Sequence, residues 1–141
     1  MSSRGSKAKN GHATADEYET IEVSQTGVKI LKGKYFKHSL PDYAHTGDSI
    51  YAKMKKDNKT ILEMRFYDKD GKPIIEIAYH PEPKINNGNW DDVVHYHLFN
   101  DKLDRYYVAR VKDHPEIKEK YAIYLKEFNL YDKCWFKSIF R

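Results

Sequence analysis

The chain has 141 residues, a length that suits one domain, and 33% of them are charged against 40% hydrophobic. With 12 Tyr, 6 Phe and 2 Trp available to fill a core, this balance argues against collagen-like, disordered and membrane classes. Lys and Arg number 25 against 21 Asp and Glu, so the net charge of +4 gives only mild attraction to polyanions.

No apolar run approaches the roughly 20 residues that cross a bilayer, and Met1 to Asn10 is polar, so neither a spanning helix nor a signal peptide is expected. Cys134 is the single cysteine, which rules out an internal disulfide and a Cys-rich zinc site and fits a cytoplasmic location. Met1 to Ala15 is rich in Ser, Gly, Ala and Lys, with Arg4, Lys7 and Lys9 unopposed by acids, and reads as a flexible basic tail or linker. Residues 16–141 read as a single domain.

Ile21 to Val23 and Val28 to Leu31, joined across Thr26-Gly27, suggest a small hairpin. Residues 32–47 show no sustained period and read as loop. Then come three strands of an antiparallel meander, Ser49 to Lys56, Thr60 to Tyr67 and Pro73 to His80, separated by Asp- and Gly-containing turns. Period-two alternation is clear in the first two: Ile50, Ala52, Met54 and Leu62, Met64, Phe66 form the apolar sides. Val93 to Phe99 is a fourth strand and Tyr106 to Val111 a short fifth. Asp113 as N-cap, Pro115 in the first turn and Glu116 signal a helix start. Ile117, Tyr121, Tyr124, Leu125 and Phe128 then recur at helical spacing over about four turns. The aromatic end, Leu130 to Arg141, is expected to dock on the core. The expected fold is therefore α+β: an antiparallel four- to five-stranded sheet with one C-terminal helix packed on its apolar face.

Three of the seven histidines fall together in this scheme: His80 at the exit of the third strand, and His95 and His97 two apart on the fourth. Residues i and i+2 of a strand point the same way. If Val94, Tyr96 and Leu98 face the core, His95 and His97 share the opposite face, where strand parity allows Glu63, Arg65, Glu76 and His80 to join them. Two chemistries fit. His-x-His on a strand with a third His can hold a divalent metal with a position left open for water. Alternatively, one His removes the proton of a ribose 2′-OH, another protonates the leaving oxygen, and Arg65 steadies the phosphate. Plain exposed strand histidines with cross-strand ion pairs account for the same letters. The loop Asn86-Asn87-Gly88-Asn89 beside His80 and His95 is a candidate lid, with Asn87 and Asn89 as substrate contacts. Tyrosines interleaved with Lys and Arg could stack single-stranded nucleic acid, although sheet packing explains most of them. Motifs for NTP binding, for the serine nucleophile elbow and for zinc proteases are absent from the sequence.

The stretch RFYDKDGKPIIEIAYHPEPKINNGNWDDVVHYHLF, residues 65–99, resembles a C-terminal module of Firmicutes phage minor head proteins and of polymorphic-toxin-like proteins, in which a His, an Asn- and Pro-rich loop and a closing His-x-His follow a strand. Residues 2–21 resemble the Ser- and Gly-rich linker that precedes such modules. In this chain Ala78 or Tyr79 stands where that family has an Asp, and Val94 where it has a Pro. The resemblance implies a phage or mobile-element protein, a toxin-like nuclease domain, with His80, His95 and His97 at the motif positions. Two functions are thus expected: a small ribonuclease-type phosphodiesterase acting on RNA through the histidine cluster, with or without a divalent metal, or a noncatalytic phage accessory module whose same sheet face contacts a phage or host protein. No membrane partner is expected.

Overall fold

A computed structural model describes residues 18–33, 39–57 and 59–128. The expected basic tail, 1–15, and the aromatic end from Leu130 lie outside the described residues. Among these residues, seven strands run in chain order across one sheet: β1 Tyr18–Val23, β2 Lys29–Gly33, β3 Ile50–Met54, β4 Ile61–Tyr67, β5 Pro73–Pro81, β6 Asp92–Phe99 and β7 Arg105–Arg110. All neighbours pair antiparallel except β2 with β3, which are parallel.

The architecture remains α+β, but the expected antiparallel sheet of four or five strands is overturned by this seven-stranded mixed sheet. The reason lies between Gly33 and Ile50. The β1–β2 hairpin is closed by Ser24 N donating to Val28 O at 2.8 Å and by Gly27 at φ +87°. It is not a separate unit: Lys29 and Ile30 align with Tyr51 and Ala52. Parallel neighbours need a long crossover rather than a tight turn. Residues read as plain loop are part of that crossover, and their described portion covers one side of the sheet. There Leu40 packs with Tyr18, Leu31, Tyr51 and Tyr67, the last two rings 5.0 Å apart. Tyr18 and Tyr67 donate their hydroxyls to the carbonyls of Ser39 and Pro41. The β4–β5 turn supports the same crossover. Gly71, at φ +82°, lies so close to Ala44 that a Cβ would stand 2.9 Å from its carbonyl oxygen.

The other side of the sheet carries the larger core, Ile30, Ala52, Met64, Phe66, Ile75, Ile77, Val94 and Tyr96, closed by Val111, Tyr121, Leu125 and Phe128. The expected single C-terminal helix is also corrected. It consists of α1, Pro115–Lys120, and α2, Ala122–Leu125, flanked by 3-10 turns and broken at Tyr121 (φ −108°, ψ 18°). None of the six α1 residues is fully buried and only Ile117 packs half-buried on the core, so α1 is weakly anchored, and short helices depend on packing. The buried anchors lie at the break, Tyr121, and after it, Leu125 and Phe128, with Phe66 4.8 Å from the Tyr121 ring and 5.1 Å from the Tyr124 ring. Asp113 does not cap the helix. It accepts from Arg110 Nε at 2.6 Å, and His114 occupies the cap position without a side-chain bond.

Candidate metal centre

Register decides which groups meet. Glu76 lies opposite His97, Ala78 opposite His95, and His80 opposite Val93, while β4 adds Glu63 opposite Ala78 and Arg65 opposite Glu76. With Ile75, Ile77, Val94 and Tyr96 facing the main core, all six polar groups share the other face. The methyl side chain of Ala78 leaves room beside the His95 ring, which is fully buried. His80 and His97 flank it with ring centroids at 4.6 and 5.3 Å, both edge-on.

The backbone fixes the tautomer of the central ring. His95 Nδ1 donates to the Val93 carbonyl at 2.8 Å, and that oxygen can only accept, so the proton sits on Nδ1. Its Nε2 is buried and has no hydrogen-bond partner among the described residues. A buried polar atom left alone costs about 1–3 kcal/mol, which marks a place where something else is expected to bind. His80 Nδ1 likewise faces a carbonyl, that of Pro81, at 2.9 Å.

The sequence reading had not included Glu82. After β5, the turn Pro83–Ile85 packs against β7, so the chain crosses back over β6 on the side where His95 and His97 project. Asn87 at φ +55° and Gly88 at φ +78° complete the reversal, with Gly88 N donating to Pro83 O at 2.9 Å. One ligand atom each from Glu82, His95 and His97 then lies within 4.8 Å of the others. Glu82 takes the third position that the sequence reading gave to His80. The only hint in the sequence was a lone carboxylate between two prolines, two residues after His80. Two imidazoles and one carboxylate suit zinc or a similar divalent ion and leave coordination positions for water. Burial pushes the His95 imidazolium below its ordinary value, against the opposing bond to Val93. His97 is pushed down to about 4, again by burial, with the nearby Glu76 working the other way. Both rings are therefore neutral at pH 7, the form that binds metal.

Arg65 is only 2% exposed, and its donors are engaged. Nε and Nη2 reach Glu76 Oε2 at 2.8 and 2.6 Å, and Nη1 reaches the carbonyls of Leu40 and Pro41 at 3.2 and 3.1 Å. It ties the crossover to the sheet rather than presenting itself to a phosphate. The second cation on Glu76, Arg105, is more exposed and bonds Oε1 at 2.9 Å. A register shift between Leu98 and Phe99 brings Arg105 into line, and alternation alone could not reveal that shift. Burial works to raise the Glu76 carboxyl, but the two guanidinium groups hold it below its ordinary value. Glu63 is displaced upward by burial and by Glu76. Asn87 and Asn89 are exposed and serve the turn itself, Asn89 Oδ1 accepting from Asp91 N at 2.8 Å.

Among the described residues, no helix is long and apolar enough to cross a membrane. The chain matches no protein-family model, no curated protein and no solved structure.

Proposed function

We propose that the protein binds one divalent transition metal through His95, His97 and Glu82 and uses it to hydrolyse phosphodiesters, with RNA as the substrate. The observations that carry this reading are the buried Nε2 of His95, unpartnered among the described residues, and the ligand atoms of Glu82, His95 and His97, which lie within 4.8 Å of one another. The resemblance of residues 65–99 to phage and toxin-like modules selects the substrate class. A bound metal would lower the pKa of its water and supply hydroxide at neutral pH. That hydroxide would add to phosphorus as the bond to the leaving oxygen breaks. His80, in ring contact with His95 but outside the ligand set, is the group that delivers a proton to that oxygen. A metal-free mechanism through His95 and His97 is the weaker reading, because burial disfavours the imidazolium that a general acid must carry.

Cleavage of RNA and DNA by the purified protein tests this, with chelator, with added zinc or manganese, and in the His95→Ala variant. Cleavage that disappears with chelator, returns with metal and is lost in the variant supports the reading. Metal binding without cleavage of either polymer would overturn the catalytic part in favour of the noncatalytic accessory module.

A further inference from the structure

A cavity of about 260 Å³ opens on the same face, lined by Asp42, Arg65, Phe99, Leu103, Asp104 and Arg105. It begins at Phe99, two residues along β6 from His97, a step of about 7 Å. Arg65 and Arg105 both lie over the Phe99 ring, at 5.1 and 5.6 Å, and both are tied to Glu76, so the floor is rigid. One wall is built at a cost. Leu103 stands at φ +67°, a left-handed conformation that leucine rarely adopts. The Asn100 side chain imposes it by accepting from Lys102 N at 2.9 Å and Asp104 N at 3.0 Å. The cavity is mostly polar, with Leu103 and the Phe99 ring as its apolar groups.

The charges argue against a free anion. The two guanidinium groups face two lining carboxylates, Asp42 and Asp104, and already share Glu76 beneath them. A ligand here should be neutral where it meets these groups, with donors and acceptors together on one edge. Resting on the metal-nuclease reading above, we infer that this cavity receives the guanine base of an RNA nucleotide whose phosphate lies toward the metal centre. Guanine presents two adjacent N–H groups to a carboxylate, which Asp104 supplies, and two acceptors, O6 and N7, to a guanidinium, which Arg105 supplies. Its face packs on Leu103.

Binding of guanosine 5′-monophosphate and adenosine 5′-monophosphate, which differ only in the base, tests the inference, followed by calorimetry and by amide NMR shifts. All titrations contain chelator, so the outcome does not depend on the metal. The expected result is tighter binding of the guanine nucleotide, with shifts centred on Leu103 to Arg105. Asp104→Asn should reduce its advantage over the adenine nucleotide about tenfold or more. Leu103→Gly relieves the left-handed strain, so it should fold at least as well as the parent and yet bind the guanine nucleotide more weakly. Equal binding of the two nucleotides, or equal binding of ribose 5-phosphate, would overturn the inference. Metal-dependent RNA cleavage without guanine binding would overturn it as well, while leaving the metal centre intact.

Discussion

His95 Nδ1 donates to the carbonyl of Val93, two residues earlier on the same strand, at 2.8 Å. This local bond commits the opposite nitrogen, Nε2, as the lone-pair donor of a ring that is clustered with His97 and Glu82. Nitrogen-15 NMR of the imidazoles at pH 7.5 should show His95 as the Nδ1–H tautomer. Zinc should shift its Nε2 and leave the Nδ1 proton in place. An Nε2–H tautomer would break the argument at its first step.

Acid should destabilise the fold through the same rings. His97 has an ordinary value of 6.5 and is pushed down to about 4, and His95 moves in the same direction. Below pH 6.5 the unfolded chain takes protons that the folded chain refuses. Stability from these groups is thus fully present above about pH 6.5 and is lost as pH falls toward 4. Urea midpoints measured across that window should decline, and His97→Gln should flatten the decline. An equal slope in the variant would assign the loss to other groups.

Glu76 bonds to two guanidinium groups while almost fully buried. Removing the carboxylate leaves the Arg65 charge buried without its partner, so Glu76→Ala should cost about 3–5 kcal/mol. Replacing Glu76 and Arg65 together with apolar residues should recover part of that loss. Chemical denaturation of Glu76→Ala and of the double variant measures both effects.

The broken helix makes a further contrast. Leu125 is fully buried against the sheet and Ile123 is 53% exposed. Leu125→Ala should destabilise the protein by about 2–5 kcal/mol. Ile123→Ala, two residues away, should stay within about 0.5 kcal/mol. Comparable losses at the two positions would mean that α2 packs differently.

Much of the site face was legible because strand parity is a strict rule. Once Val94 and Tyr96 face the core, His95 and His97 must face away from it, and the β4–β5–β6 meander brings Arg65, Glu76 and His80 beside them. What escaped the sequence depends on long-range geometry. Glu82 reaches the histidines only because a turn at Pro83–Ile85 brings the chain back toward β7. Arg105 aligns only through a register shift. The parallel pairing of β2 with β3 has no local signature, since it is set by the path between them. The apolar residues do recur from Ile117 to Phe128, but α1 has only the half-buried Ile117 on the core and the helix breaks at Tyr121.

The most direct test of the metal centre is isothermal titration of the chelator-treated protein with zinc at pH 7.5, repeated on His95→Ala and Glu82→Gln. The expected result is one site per chain in the parent, no measurable site in His95→Ala, and at least about tenfold weaker binding in Glu82→Gln. Zinc binding that is unchanged in both variants, or absent from the parent, would contradict the assignment of His95, His97 and Glu82 as a metal centre.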